Sequence, residues 1–393
     1  MLVELHILQN FAPSNLNRDD TGAPKDCEFG GYRRARISSQ CLKRAIRTSF
    51  RNDGLLEADS LAVRTRRLVE GELVPRFTGQ GRDATEARQV AEAALSSVGI
   101  SLKGDNTQYL LFLGQREIDA IEQVCLGNWE LLVAVQNEGA DAKKGKKDKK
   151  KAMPKEIGDA IKRSLDGGKA ADLALFGRML ADLPVRNVDA ASQVAHAIST
   201  HRVDAEFDFY TAVDDLQAER SGDSEADVDA GAGMLGTIEF NSACYYRYAN
   251  VDVGQLLANL QGDAELARAT LSAFVRASVR AVPTGKQNSM AAHNPPSLVF
   301  ATVRDTGAQN LANAFVRPVR PSRDGDLIAN SVRELGSFQQ KLVNMYGDDG
   351  LRGSWVASTE DGATSALGVQ SGTLDALVQG VLSAVDFGAA VGQ

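Results

Sequence analysis

Cysteine is scarce in these 393 residues. There are four, at Cys27, Cys41, Cys125 and Cys244, and no two form a C-x-x-C pair. With only four histidines to assist them, a structural zinc site is not expected, and free thiols in a reducing compartment are the reading. No apolar run approaches the roughly 18 to 20 residues a membrane-spanning helix needs. The opening Met1 to Asn10 alternates and carries Glu4 and His6, so it lacks the layout of a secretory signal. The expectation is a cytoplasmic protein with no membrane partner, no metal and no cofactor. A chain this long exceeds what one core organises, which predicts two or three folded regions.

The formal net charge is −7, which alone argues against a nucleic-acid partner. The charge is segregated, however. Between Gly30 and Arg51 stand seven basic residues (Arg33, Arg34, Arg36, Lys43, Arg44, Arg47, Arg51) and no acidic one, whereas Asp204 to Asp229 holds ten Asp/Glu against Arg220 alone. A local basic surface binds phosphate even on an acidic chain.

Alternation at Val3, Leu5 and Ile7 predicts a strand, and a loop with Pro13, Gly22, Pro24 and Gly30-Gly31 follows it. Ser38 or Ser39 caps a predicted helix running to about Asn52. Helices are expected over 84–98, 116–136 and 170–183. Lys143, Lys144, Lys146, Lys147, Lys149, Lys150 and Lys151 interrupt them with a run too charged to bury. Period-two residues from Ile238 to Tyr248 predict a strand, 256–282 a helix broken near Gly262, and 297–303 another strand. Helix 326–346, a short strand 354–358 and helix 373–385 complete the chain. The order strand, helix, strand, strand, helix, strand is that of an α+β, ferredoxin-like sheet with helices on one face.

The basic helix carries the sharpest signal. Leu42, Ala45, Ile46 and Phe50 recur at helical spacing and must face inward. Lys43, Arg44, Arg47 and Arg51 form a different stripe, and like charges so spaced repel. An anion seated there explains the stripe, and Ser38, Ser39 and Gln40 at the helix start suit a phosphate. A solvated face paired with carboxylates from elsewhere explains it equally well, and composition does not choose between them.

At these residues the chain resembles a known family. Asn15-Leu16-Asn17-Arg18-Asp19-Asp20, Phe29-Gly30-Gly31 and the run from Arg36 to Ala45 are similar to the N-terminal signature of the CasC family, the backbone subunit of the type I-E CRISPR Cascade complex. Further blocks follow in order: Ala174 to Met179, Gln193 to His201, Thr211 to Leu216, Tyr245 to Asn250 and Pro283 to Asn288. Several ordered blocks are more specific than any one motif.

The resemblance implies an RRM-like palm (1–65 and 246–393), a helical finger domain (66–189) and a thumb hairpin with flanking strands (190–245). It implies copies stacked head to tail on a crRNA guide, bases flipped out by the thumb, pairing of the guide with target DNA, and contact with other Cascade subunits. Carried over by position, Arg18, Lys25, Ser38, Ser39, Gln40, Lys43, Arg44 and Arg47 grip the guide backbone. Met179 is an apolar wedge, Tyr210 and Thr211 meet bases, and Lys286, Gln287 and Asn288 form a second backbone-contacting loop. The acidic thumb points away from the guide or toward a neighbouring protein. Lys143, Lys144, Lys146 and Lys147 are expected at target duplex, with a solubilising loop as the plainer account.

The rival function is a metal-dependent ribonuclease using Asp19 and Asp20. Adjacent aspartates seldom converge on one metal, and no third carboxylate is marked by spacing. His196 and His201 lack the i,i+4 spacing of a helical zinc pair. On a strand they point to opposite faces, so an acid–base nuclease built on them is a weak reading.

Overall fold

The computed structural model describes residues 1–135, 154–180, 182–213, 232–323, 326–360 and 364–388. Strand β1 (Leu2–Ser14) is the middle of a large mixed α+β arrangement. It pairs antiparallel with the long strand Ala232–Asp252 on one side and with Leu298–Arg304 on the other. Beyond Leu298–Arg304 come Leu351–Ser358 and, in parallel, Val369–Gln370. Beyond the long strand come Ser192–Val194 and Ala197–Ser199, then β2 (Asp26–Phe29) and β3 (Tyr32–Ile37), with β3 the nearer.

The hairpin β2–β3 occupies what the sequence reads as loop. Its turn glycines, Gly30 and Gly31, take φ of +63° and +79°, where a side chain is strained. The turn signal was present, but the flanking residues are mostly polar and give no alternation, so the strands were not predicted.

The sheet is covered on both faces, not one. Val3, Leu5, Ile7, Val299, Ala301 and Val303 share a core with α1 (Ser39–Asn52), the helix Ala264–Arg280 and the helix Leu374–Ala384. The opposite face carries Leu8, Tyr246, Tyr248 and Phe300, packed under the helix Leu327–Tyr346 and the turn Leu311–Phe315. The polar alternation of β1 on that face, Glu4 and His6, imitates a solvated surface, yet both are 1% exposed. Buried polar groups need partners. Tyr248 Oη donates to Glu4 Oε1 at 2.7 Å, Arg304 Nε lies 2.9 Å from Glu4 Oε2, and His6 Nδ1 lies 2.9 Å from Tyr246 Oη. Burial, then Arg304, pushes the His6 pKa down to about 3, so the ring is neutral.

A separate cluster draws wholly on residues 68–183, around Phe77, Val90, Ile118, Ile121, Trp129 and Ile161. The helices Ala84–Ser97, Gln115–Gly127 and Lys155–Ser164 supply most of it. The helix expected over 170–183 is only Ala171–Phe176. Gly177 stops it at φ +74°, where an added Cβ would lie 2.8 Å from Val188 O. The break predicted near Gly262 separates helices Val253–Asn259 and Ala264–Arg280.

Glu206–Val213 pairs with the first half of the long strand, and Tyr210 faces Gly236. The long strand continues unbroken through position 245, where the sequence reading ends the thumb region, to pair with β1 up to Asp252.

Candidate RNA-binding cleft

Helix α1 begins where Ser38, in extended conformation, accepts a hydrogen bond from Cys41 N (3.3 Å). Ser38 N donates to Asn17 Oδ1 at 2.8 Å, which ties the helix start to the 15–25 loop. The Ser38 hydroxyl is thus a helix cap and 7% exposed, while Gln40 projects to solvent. Leu42, Ile46 and Phe50 are buried as their spacing requires.

No described carboxylate lies within 4.0 Å of the side-chain nitrogens of Lys43, Arg44, Arg47 or Arg51. Burial pulls the Lys43 pKa down, and it does the same at Arg47, where Asp172 pulls the other way. The Arg47 guanidinium lies over the Phe112 ring at 5.7 Å. Half-buried cations without a salt-bridged counter-ion are costly, and an entering anion removes that cost.

Two clefts meet at this stripe. One, of about 420 Å³, is lined by Gln40, Lys43, Arg44, Arg47 and Met179, together with Arg64, Tyr109, Leu110 and Phe112. The other, of about 570 Å³, is lined by Arg18, Asp19, Asp20, Arg44, Thr284 and Gly285. Arg44 borders both, so they form one path along α1. Gly285 permits the close approach of the 283–288 loop to the 15–25 loop: a Cβ there would lie 2.4 Å from Leu16 O. Lys286 adopts φ +51°, and Gln287 Nε2 donates to Pro283 O (3.0 Å) and Ala292 O (3.2 Å). Gln287 therefore braces this loop, and Asn288 is exposed.

Lys25 and Arg36 gather near His196. Arg36 Nη1 lies 3.2 Å from His196 Nδ1, and burial, Arg36 and Lys25 together lower the His196 pKa. Burial raises the Cys41 thiol pKa, and Arg44 and Lys25 both act against it.

Met179 is 80% exposed and so is no core methionine. It follows Arg178, which is buried and paired with Glu117 at 2.7 Å, and Arg178 also donates to Phe112 O, Leu165 O and Arg186 O. Tyr210 packs its ring over Gly236 and remains 45% exposed. Thr211 pairs with Leu235 in the same hairpin. Lys143, Lys144, Lys146 and Lys147 lie outside the described residues.

Two of the seven basic residues leave the surface argument. Arg34 is fully buried and donates to Ser199 O, Thr200 O, Phe315 O and Val316 O, and Arg33 is paired with Asp26. Sequence reasoning missed Arg64, Tyr109 and Phe112, which come from another region and carry no motif. It also missed Phe207 and Phe209, 60% and 77% exposed on the hairpin, although their alternation with Glu206 and Asp208 is legible.

Asp19 Oδ1 accepts from Thr21 Oγ1 (2.7 Å), Thr21 N (2.9 Å) and Ala23 N (3.0 Å), bonds that lower its pKa and fold its own loop. No cluster of three His, Cys, Asp or Glu arranged to hold a metal occurs among the described residues. His196 and His201 lie on no common strand; His201 follows Ala197–Ser199, accepts from Cys244 N at Nε2 and lies 2.9 Å from Arg202 O at Nδ1.

A family model described as CT1975-like protein matches residues 3–380. The chain belongs to that family. Its kinship extends to solved chains. One, from a "CRISPR RNA-guided surveillance complex, pre-nicking", is 32% identical with a TM-score of 0.82, covering 98% of this chain and 100% of that one. A second, from a "CRISPR RNA-guided surveillance complex", is 27% identical with a TM-score of 0.72 and the same coverage. No curated protein matches. The resemblance read from the ordered blocks is borne out: this CT1975-like chain is built as CRISPR surveillance-complex subunits are.

Proposed function

We propose that the chain is a non-catalytic, crRNA-binding backbone subunit of a type I-E Cascade complex. Copies line up head to tail along the guide, grip its phosphates and present it for pairing with target DNA. The observation that carries this is the convergence of Lys43, Arg44 and Arg47, none salt-bridged to a described carboxylate, on a cleft shared with exposed Met179 and continuous with the Arg18–Gly285 cleft. Cations gathered along one path suit a polyanion, and grip by backbone charge leaves sequence to base pairing.

The palm reading is supported by the order of four elements. Leu298–Arg304, β1, Ala232–Asp252 and the 192–199 strands are antiparallel neighbours in that order. Helices α1 and Ala264–Arg280 follow β1 and the long strand, which is the split βαβ pattern of an RRM-like sheet. Because the opposite sheet face is covered by Leu327–Tyr346, bases cannot stack on the sheet itself, and the guide lies along α1. Residues 66–189 act as fingers and the Glu206–Val213 hairpin as the thumb, with Met179, Tyr210 and Thr211 at the displaced bases.

Expression with the rest of its operon, followed by extraction and sequencing of the copurified nucleic acid, tests the reading. RNA of one defined length carrying repeat-derived ends is expected. Incubating the purified chain with labelled RNA and Mg²⁺ is expected to protect guide-length fragments. Cleavage abolished by Asp19→Ala would instead establish a ribonuclease.

A further inference from the structure

The face of β1 toward α1 runs Val3, Leu5, Ile7 and then Gln9, and that of the long strand runs Val251, Ala249 and then Arg247. Both polar residues are buried with the apolar ones. Arg247 Nη1 donates to Gln9 Oε1 (2.5 Å), and Nη2 donates to Ser278 O (2.6 Å) on the helix Ala264–Arg280. No described carboxylate pairs with Arg247, its Nε has no partner, and burial alone lowers its pKa to about 10. A buried cation of this kind is costly, and apolar side chains of like volume fill such a space at less cost. The placement asks for a role beyond packing.

That role lies at the other end of Gln9. Its Nε2 donates to Asn294 O at 2.7 Å, and Asn294 Oδ1 accepts from Ala12 N at 3.3 Å. Asn294 closes the loop that starts at Lys286, and it precedes Pro295 and Pro296, whose nitrogens carry no hydrogen to donate. Side chains must hold this end. The loop needs holding, because Lys286 (φ +51°) and Ala291 (φ +48°) both lie in the left-handed region. Such residues keep that conformation only where their surroundings enforce it. Gln287 braces the middle of the loop, and Gly285 seats its start against Leu16 O. We infer that Gln9 is a positioning residue for the guide: held by Arg247, it pins the 286–294 loop so that Lys286 and Asn288 stand beside the Thr284–Gly285 wall of the path. This rests on the guide-binding reading above and adds the buried pair that sets the second backbone-contacting loop.

The test uses the full chain and two variants. Gln9→Glu keeps an acceptor for Arg247 and gives it a counter-ion, but it loses the N–H that Asn294 O accepts. Arg247→Met/Gln9→Leu removes both partners together and leaves no buried orphan charge. In both, hydrogen exchange of the 286–294 amides in the free chain should quicken about tenfold, while the thermal midpoint of Gln9→Glu holds. Filter binding uses an RNA oligonucleotide long enough for one copy. Each variant should lose about threefold in affinity, and the slope of log affinity against log salt should fall by about one, as in Lys286→Ala. Adding Lys286→Ala to either variant should then cost less than about twofold more. Unchanged exchange, unchanged affinity, or losses from Gln9→Glu and Lys286→Ala that multiply overturn the inference. A lowered midpoint with multiplying losses marks packing alone and also overturns it. Absence of RNA binding by the unaltered chain would instead refute the guide-binding reading, and the exchange result then still decides the brace.

Discussion

Arg178 Nη1 lies 2.7 Å from Glu117 Oε2, with side chains 1% and 0% exposed, and the next residue, Met179, is one of the most exposed apolar groups on the protein. The pair anchors the segment from which the Met179 side chain projects. Glu117 also accepts from Gly114 N (2.9 Å) and Gly167 N (2.7 Å), so both carboxylate oxygens have backbone as well as guanidinium partners, while Arg178 Nε has none. Burial still pushes the Glu117 carboxyl up, with Arg178 opposing it.

Removing one partner leaves the other charge buried and alone. Arg178→Met is expected to destabilise the chain by about 3 to 5 kcal/mol, read by urea unfolding. Met179→Ala should leave the urea midpoint unchanged, because its side chain is exposed, while weakening guide binding.

Lys43→Ala and Arg47→Ala should each lower guide affinity similarly for all spacer sequences. The slope of log affinity against log salt should fall by about one for each. Filter binding over a salt series with two unrelated guides measures both. A loss confined to one guide would contradict a backbone grip.

Asp172 gives a pH signature. It accepts from Ala62 N at 2.7 Å, and burial raises its pKa to about 6, with Arg47 opposing. Between pH 4 and 6 the folded chain keeps this proton while the unfolded chain has released it. The group's contribution to stability therefore falls as pH rises through that window and is constant above it, a change on the order of 2 to 3 kcal/mol. Asp172→Asn should flatten this part of the stability–pH curve, followed by denaturation at several pH values.

Gly285→Ala should separate two walls of the path. The added Cβ meets Leu16 O at 2.4 Å and Asn15 O at 2.7 Å, both backbone atoms that yield only by moving the loop. A loss of roughly 1 to 3 kcal/mol and weaker guide binding are expected, measured by thermal unfolding and filter binding.

Periodicity and capping alone determined α1: Leu42, Ile46 and Phe50 go inward, Ser38 or Ser39 caps, and the cations face out. The break at Gly262 and the helix starts near 326 and 373 were equally legible, because each depends on neighbours within a few residues. Only the tertiary structure decided which cations stay free. Arg33 and Arg34 look the same as Arg44 and Arg47 in the sequence, yet Asp26 neutralises the first and four carbonyls enclose the second. It also decided that Glu4 and His6 face a covered sheet, and that Arg64, Tyr109 and Phe112 join the cleft from another core. Convergence depends on contacts across tens to hundreds of residues, of which local sequence carries no record, and even the Arg33–Asp26 pair, seven residues apart, depends on the β2–β3 hairpin.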